Sequence, residues 1–127
     1  MKKSRITTDK GPSAIGPYSQ AIAAGAMLFV SGQLPLDPST GQMARGDIRE
    51  LTHQVMRNIR AVVEAAGASL DAVVRCTIYL ADLNDFGAVN EVYGTYFTPP
   101  APARATVEVA RLPRDARIEI DAIAVLR

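Results

Sequence analysis

Apolar and polar positions along the chain change period several times, and each change marks an element. Between Met27 and Gln33 the period is two: Leu28 and Val30 face one way, Phe29 and Ser31 the other. Gln20 to Ala24 reads as a partner strand, with Gly25-Ala26 as a tight hairpin turn between them. A short first strand is expected around Arg5 to Thr7. Ile48, Leu51, Val55, Ile59, Val62 and Ala66 then recur at helical spacing and form one apolar stripe. Asp47 followed by Glu50 is a capping-box signature at the start of that helix, and Gly67 is a natural stop. Val73 to Leu80 is a β-rich run, apolar on the Val74, Cys76, Ile78 and Leu80 side. A second helix, capped by Asp82, carries Leu83, Phe86, Val89, Tyr93 and Phe97 as its buried stripe and ends before Pro99.

Two alternating strands complete the pattern. Arg104, Thr106 and Glu108 alternate with Ala105, Val107 and Val109; Arg117, Glu119 and Asp121 alternate with Ile118, Ile120 and Ala122. The order of strands and helices predicts an α/β (α+β) fold, one domain over residues 1–127. Two strand-helix-strand crossovers put both helices on one face of a six-stranded mixed sheet, a two-layer sandwich. The other face then mixes Met27, Phe29 and Tyr79 with Arg104 and Glu119. Large apolar groups among charges are poorly matched to bulk water, so a cyclic homo-oligomer with pockets between subunits is expected.

Composition narrows the function classes. With 48% hydrophobic and 21% charged residues, the 127-residue chain belongs with folded globular proteins rather than disordered ones. Fourteen basic against thirteen acidic residues leave a net charge of +1, without the basic excess of a nucleic-acid or anionic-membrane binder. Cys76 is the only cysteine, which excludes an intrachain disulfide, and its place on an apolar strand face predicts a buried, inert thiol. Met1 to Arg5 is basic without the apolar run of a signal peptide, and no window approaches the roughly 20 apolar residues of a membrane helix. A cytoplasmic location is the expectation.

Candidate chemistry is left to few groups. The single histidine, His53, falls off the apolar stripe of the first helix and is expected on the solvated surface. There is no Cys-x-x-Cys pair, P-loop, Gly-x-Gly-x-x-Gly or Gly-x-Ser-x-Gly, so any reaction is expected to need neither metal nor cofactor. Arg104, Glu119, Tyr18, Ser31 and Asn90 remain. The proline-rich approach Pro99-Pro100-Ala101-Pro102 delivers Arg104 to a strand, and its guanidinium suits a small carboxylate. On neighbouring polar faces, Glu119 would be placed to handle water. An ion pair of Arg104 with Glu108 or Glu119, a solvated Glu119, and an Asn90 bonded to backbone stay open beside that reading.

In sequence order, Ile15-Gly16-Pro17-Tyr18-Ser19-Gln20-Ala21, Val30-Ser31-Gly32-Gln33, Asp82-Leu83-Asn84-Asp85-Phe86 with Val89-Asn90, and Pro102 to Val109 with Ile118 to Val125 form a set. Together they resemble the RidA/YjgF family of reactive-intermediate deaminases along nearly the whole chain. The resemblance implies a chorismate-mutase-like homotrimer with sites between subunits. It also implies hydrolysis of 2-aminoacrylate, 2-aminocrotonate and their imino tautomers to 2-oxo acids and ammonia, without a cofactor. Carried over by motif, Arg104 would hold the substrate carboxylate and Glu119 would orient or activate the attacking water. Tyr18, Ser31 and Asn90 would shape the pocket, with backbone groups at Gly32 and Thr106 completing it. Thr106 stands where some relatives have cysteine, which removes any thiol chemistry there. The competing readings are a non-catalytic 2-oxo-acid-binding sensor and an endoribonuclease or translation inhibitor. Near-neutral charge and the lack of a second histidine argue against efficient RNA cleavage.

Overall fold

A computed structural model describes residues 2–126. Six strands form one mixed sheet: β1 (Lys3–Ile6), β2 (Ala21–Ala24), β3 (Met27–Gln33), β4 (Val73–Leu80), β5 (Ala103–Glu108) and β6 (Ile118–Val125), in the spatial order β1-β2-β3-β6-β4-β5. All neighbours are antiparallel except β4 and β5, which a helical crossover makes parallel. Helices α1 (Ile48–Ala65) and α2 (Phe86–Gly94) pack on one face, where Val55, Met56, Ile59 and Val62 meet Leu28, Ile78, Ile118 and Ile120 in a single core. Each of these side chains is fully removed from water, worth roughly 1.5–3 kcal/mol apiece. The predicted six-stranded α+β sheet with two helices on one face is thus observed.

The local signals explain most boundaries. Asp47 caps α1 by accepting from the Glu50 N–H at 3.0 Å, while Glu50 Oε1 accepts from the Asp47 N–H at 3.1 Å, the reciprocal box that its spacing predicts. Gly67 adopts φ +85°, the left-handed geometry that ends the helix. Gly25 adopts φ +60° in the β2–β3 hairpin, where Ala24 pairs with Met27.

Four expectations fail, each for a physical reason. Val74 does not face the core: a bulge between Val73 and Arg75 switches the alternation of β4, so Val73 is buried and Val74 is 44% exposed. Asp82 caps only a 3-10 turn over Leu83–Asp85, its carboxylate accepting from the Asn84 N–H at 2.9 Å, and the α-helix starts at Phe86. Leu83 and Phe86 therefore lie outside the buried stripe, which is Val89, Val92 and Tyr93. The helix also stops at Gly94 rather than Phe97, since glycine is a poor helix former and the Thr95 hydroxyl bonds back to the Val92 carbonyl at 2.6 Å. Beyond that stop Tyr96 folds over α1. His53, expected on the solvated surface, is consequently half-buried with Nδ1 2.8 Å from the Tyr96 hydroxyl.

Candidate active site

Sheet parity decides how the candidate residues group. Cys76 pairs with Arg104 and Ile78 with Thr106, so Arg104 and Thr106 share the helix-covered face with that buried pair. Tyr79 pairs with Glu119 and Thr77 with Asp121, which places both acids on the open face beside Phe29, Met27 and Tyr79. The expectation that Arg104 and Glu119 share one face is therefore wrong. Their strands are not adjacent either, because β4 lies between β5 and β6. Period-two alternation fixes parity within a strand but not which parity of one strand matches that of another. With two strand spacings, about 10 Å, and the sheet itself between them, both side chains of one chain cannot reach one small molecule.

The helix-side group is a guanidinium held at the end of the sheet. Arg104 NH1 donates to Asn90 Oδ1 at 2.6 Å, and its Cζ lies 5.0 Å from the Tyr93 ring centroid and 5.5 Å from that of Phe86. Asn90 is exposed on α2, so it is a hydrogen-bond acceptor for Arg104 rather than a buried amide bonded to backbone. Neither open ion pair forms: among the described residues Arg104 has no carboxylate partner, and Glu108 accepts instead from the Leu83 N–H at 2.8 Å. On the same helix-covered side, the Thr106 and Tyr93 hydroxyls are buried without hydrogen-bond partners among the described residues. Burial, and next the neighbouring Cys76, push the Tyr93 phenol well above its ordinary range. Cys76 is buried, as expected, and its thiol is raised chiefly by burial.

The open-face group is a cleft of about 660 Å3 whose lining includes Tyr18, Ser31, Gly32 and Glu119. A register shift between Val30 and Gln33 swings Ser31-Gly32 toward β6. A side chain at Gly32 would overlap Glu119 Oε2 and sit 2.8 Å from its Cδ, so the carboxylate lies directly on the bare glycine backbone. Ser31 donates from Oγ to the Ser19 carbonyl at 2.6 Å, tying β3 to the Tyr18 loop. Tyr18 is 54% exposed at the rim. Two buried amides hold the walls. Gln20 donates to the carbonyls of Thr8 (2.9 Å) and Pro12 (2.7 Å) and accepts from the Thr8 N–H. Asn58 of α1 donates to the carbonyls of Leu34 (3.1 Å) and Leu36 (2.9 Å).

Glu119 itself receives no hydrogen bond from the described residues. The nearest phenol, Tyr79, donates to Asp121 Oδ2 at 3.0 Å, and the Thr77 N–H takes the other oxygen at 3.2 Å. Burial first, then the Asp121 charge, raise the Glu119 carboxyl above the ordinary glutamate range. A carboxyl raised in this way is a better proton acceptor from a bound water than an ordinary glutamate.

Sequence reasoning missed four contributors. Phe86 and Tyr93 were readable only as core stripe, although aromatic residues one helical turn to either side of Asn90 are well spaced to face a cation. Asp121 was visible two residues from Glu119 on the same face, a signal for coupled carboxyls. Arg114, which lines the cleft, has no sequence signal beyond being a cation in a Pro-Arg-Asp turn.

Comparison with known proteins agrees with the geometry. The model of the family described as Endoribonuclease L-PSP matches residues 8–126. A RutC family protein of Pyrococcus abyssi is 56% identical over 124 residues, covering 98% of each chain. The mouse 2-iminobutanoate/2-iminopropanoate deaminase is 51% identical over 120 residues, covering 94% of this chain and 89% of its own. The crystal structure of E. coli TdcF with bound serine superposes with a TM-score of 0.92 at 42% identity, over 96% of this chain and 98% of that one. A family match over nearly the whole sequence, joined to relatives half identical from end to end, establishes that this chain belongs to the Endoribonuclease L-PSP family, also called the RidA/YjgF/RutC family.

Proposed function

We propose that this protein hydrolyses small 2-imino acids and their enamine tautomers, 2-aminoacrylate and 2-aminocrotonate, to 2-oxo acids and ammonia. The working unit is a cytoplasmic, chorismate-mutase-like homotrimer, and each site is built from two neighbouring copies. One observation carries the reading: the chain holds two complementary half-sites on opposite sheet faces. Among the described residues Arg104 is a positioned cation with no anion, and Glu119 is a positioned carboxyl with no donor. A second copy laid against the open face supplies each with what it lacks and covers Phe29 and Val107, which are 46% and 41% exposed. The deaminase name of the mouse relative and the serine bound to TdcF both favour a small amino-acid-like ligand.

The chemistry follows from those groups. Arg104 takes the substrate carboxylate through two parallel N–H donors, with the rings of Phe86 and Tyr93 and the Asn90 amide fixing its plane. Thr106 follows two residues later on the same face of β5, with its hydroxyl buried. A protonated imine is already electrophilic at C2. Glu119 of the neighbouring copy orients a water and takes its proton as the oxygen bonds to C2. It then returns that proton to nitrogen and takes up the proton of the new C2 hydroxyl as the C2–O double bond forms and the C2–N bond breaks. Ammonia leaves with the 2-oxo acid behind, and Glu119 passes the last proton to ammonia or water. Tyr18, Ser31 and Gly32 shape the cleft around that water. Endoribonuclease activity fits poorly: RNA cleavage wants an acid, a base and phosphate-binding cations, and the one histidine is engaged with Tyr96 on α1.

The test generates 2-aminoacrylate or 2-aminocrotonate in situ with a serine or threonine dehydratase and follows release of the 2-oxo acid. Wild type accelerates release. Arg104→Ala lowers kcat/KM by roughly 30- to 1000-fold, the cost of an unpaired carboxylate in a partly dry site, while leaving the oligomer intact. Co-assembly of Arg104→Ala with Glu119→Gln chains restores about one quarter of wild-type activity, because one interface in four pairs an intact Arg104 with an intact Glu119. Near-normal turnover by Arg104→Ala, or no recovery on co-assembly, overturns the proposal.

A further inference from the structure

The cleft above Glu119 is several times larger than a three- or four-carbon imino acid, and its lining also includes a cation. Arg114 lines the same cleft and is the only basic residue among its described lining, as Glu119 is the only acidic one. Its backbone is held in the left-handed region (φ 58°, ψ 24°), and Asp115 follows at φ 56°. Non-glycine residues adopt that geometry at a cost, so two in succession mark a turn over-determined by its surroundings. Here the surroundings are visible: Arg111 Nε grips Asp115 Oδ1 at 2.8 Å, and Pro113 precedes the turn. From that turn Arg114, one of the cleft-lining residues, donates from NH1 to the Gly41 carbonyl at 3.0 Å. That is one neutral acceptor for a side chain with five N–H donors, and no carboxylate among the described residues pairs with it.

Under the proposed mechanism Arg104 takes the α-carboxylate from the other half-site, so a second cation lining the cleft is not needed for the smallest substrates. Apolar walls at Leu34, Leu36 and Pro113 lie in the same cleft as both Glu119 and Arg114. They suit the methylenes of a side chain running between them. We propose that Arg114 is a specificity-determining residue that extends the substrate class to 2-imino acids bearing a second, side-chain carboxylate. The imines of dicarboxylic amino acids are the type. Hydrolysis is unchanged: water adds to C2, the C2–N bond breaks, and a dicarboxylic 2-oxo acid and ammonia result. This inference rests on the imine-hydrolase reading above.

The experiment uses the whole protein with two imines formed in situ by amino-acid oxidases, catalase being present: 2-iminoglutarate from glutamate and 2-iminopropanoate from alanine. Arg114→Gln keeps a donor for Gly41 but removes the charge. It is expected to lower kcat/KM for 2-iminoglutarate about tenfold while leaving 2-iminopropanoate within twofold, and added salt should narrow the difference. Arg114→Glu should widen the discrimination further. A fall on both substrates alike assigns Arg114 to holding the loop, and no change on either leaves it a surface cation; both results overturn the inference. If wild type accelerates neither imine, the parent reading fails instead, so the two failures are distinct.

Discussion

Gly32→Ala isolates the geometry of Glu119 from everything else in the fold. Gly32 does not occupy a left-handed conformation, so alanine meets no backbone penalty there. The added methyl instead overlaps Glu119 Oε2 and lies 2.8 Å from Cδ and 3.2 Å from Cγ. The carboxylate is the free end of a flexible side chain and receives no hydrogen bond, so it gives way, by about 1 Å at its oxygens. A displacement of that size at a reacting group costs about 100-fold in rate. Stability should hold or rise slightly, by about 0.4–1 kcal/mol, because alanine restricts the unfolded chain. The assay is paired: kcat for 2-iminopropanoate, and a thermal melt on the same preparation. Adding Gly32→Ala to Glu119→Gln should then cost little more than Glu119→Gln alone, since both act through one carboxylate. Wild-type kcat in Gly32→Ala would refute the placement of Glu119. A full additional 100-fold loss in the double variant would refute the route through it.

Four further outcomes follow. Glu119 titrates above the ordinary glutamate range, so the stability it contributes is full below its unfolded value and is lost as pH rises through the folded one; Glu119→Gln should flatten that slope in urea melts taken upward from the ordinary glutamate range. Asp121→Asn removes the second cause of the shift, and the acid limb of the kcat profile should move to lower pH; an unmoved limb would show that Asp121 does not act on Glu119. Asn58→Ala strands the Leu36 carbonyl and takes one of two donors from that of Leu34, which keeps the Leu36 N–H, and should cost about 1–3 kcal/mol in urea unfolding, with KM rising as the cleft wall loosens. Cys76, buried with a raised thiol, should react with iodoacetamide only in denaturant, and rapid labelling of the native protein would contradict its burial.

Elements governed by local chemistry were legible in the sequence. The Asp47–Glu50 box, Gly67, and the Met27–Gln33 alternation each act within a few residues, and the structure reproduces them. Features set by pairing were not. The β4 bulge that exposes Val74 depends on its register against β6, and insertion of β6 between β3 and β4 depends on which strands meet. The second helix misled because Leu83 and Phe86 keep helical spacing with Val89. What removes them from the core is the Asp82 turn and, for Phe86, the guanidinium that its ring faces. The members of the candidate site were recognisable by motif, but their arrangement was not. Parity errors are invisible in one strand and become decisive between two.

The division of the site across the sheet has an energetic logic under the trimeric reading. Taken alone, the chain leaves two hydroxyls, Tyr93 and Thr106, buried without partners beside Arg104, and a half-buried Glu119 without a donor beside Asp121. Each orphan weakens the isolated fold by an amount comparable to a lost hydrogen bond. Completing all of them within one chain would consume the groups that a substrate must meet. Tyr79 shows the alternative, since its hydroxyl satisfies Asp121 and thereby leaves Glu119 unsatisfied. Groups left unpaired at an edge and on an open face are free to be satisfied by a neighbouring copy and by the anion held between the two. Substrate and subunit then stabilise the same state, so ligand binding and assembly should reinforce one another.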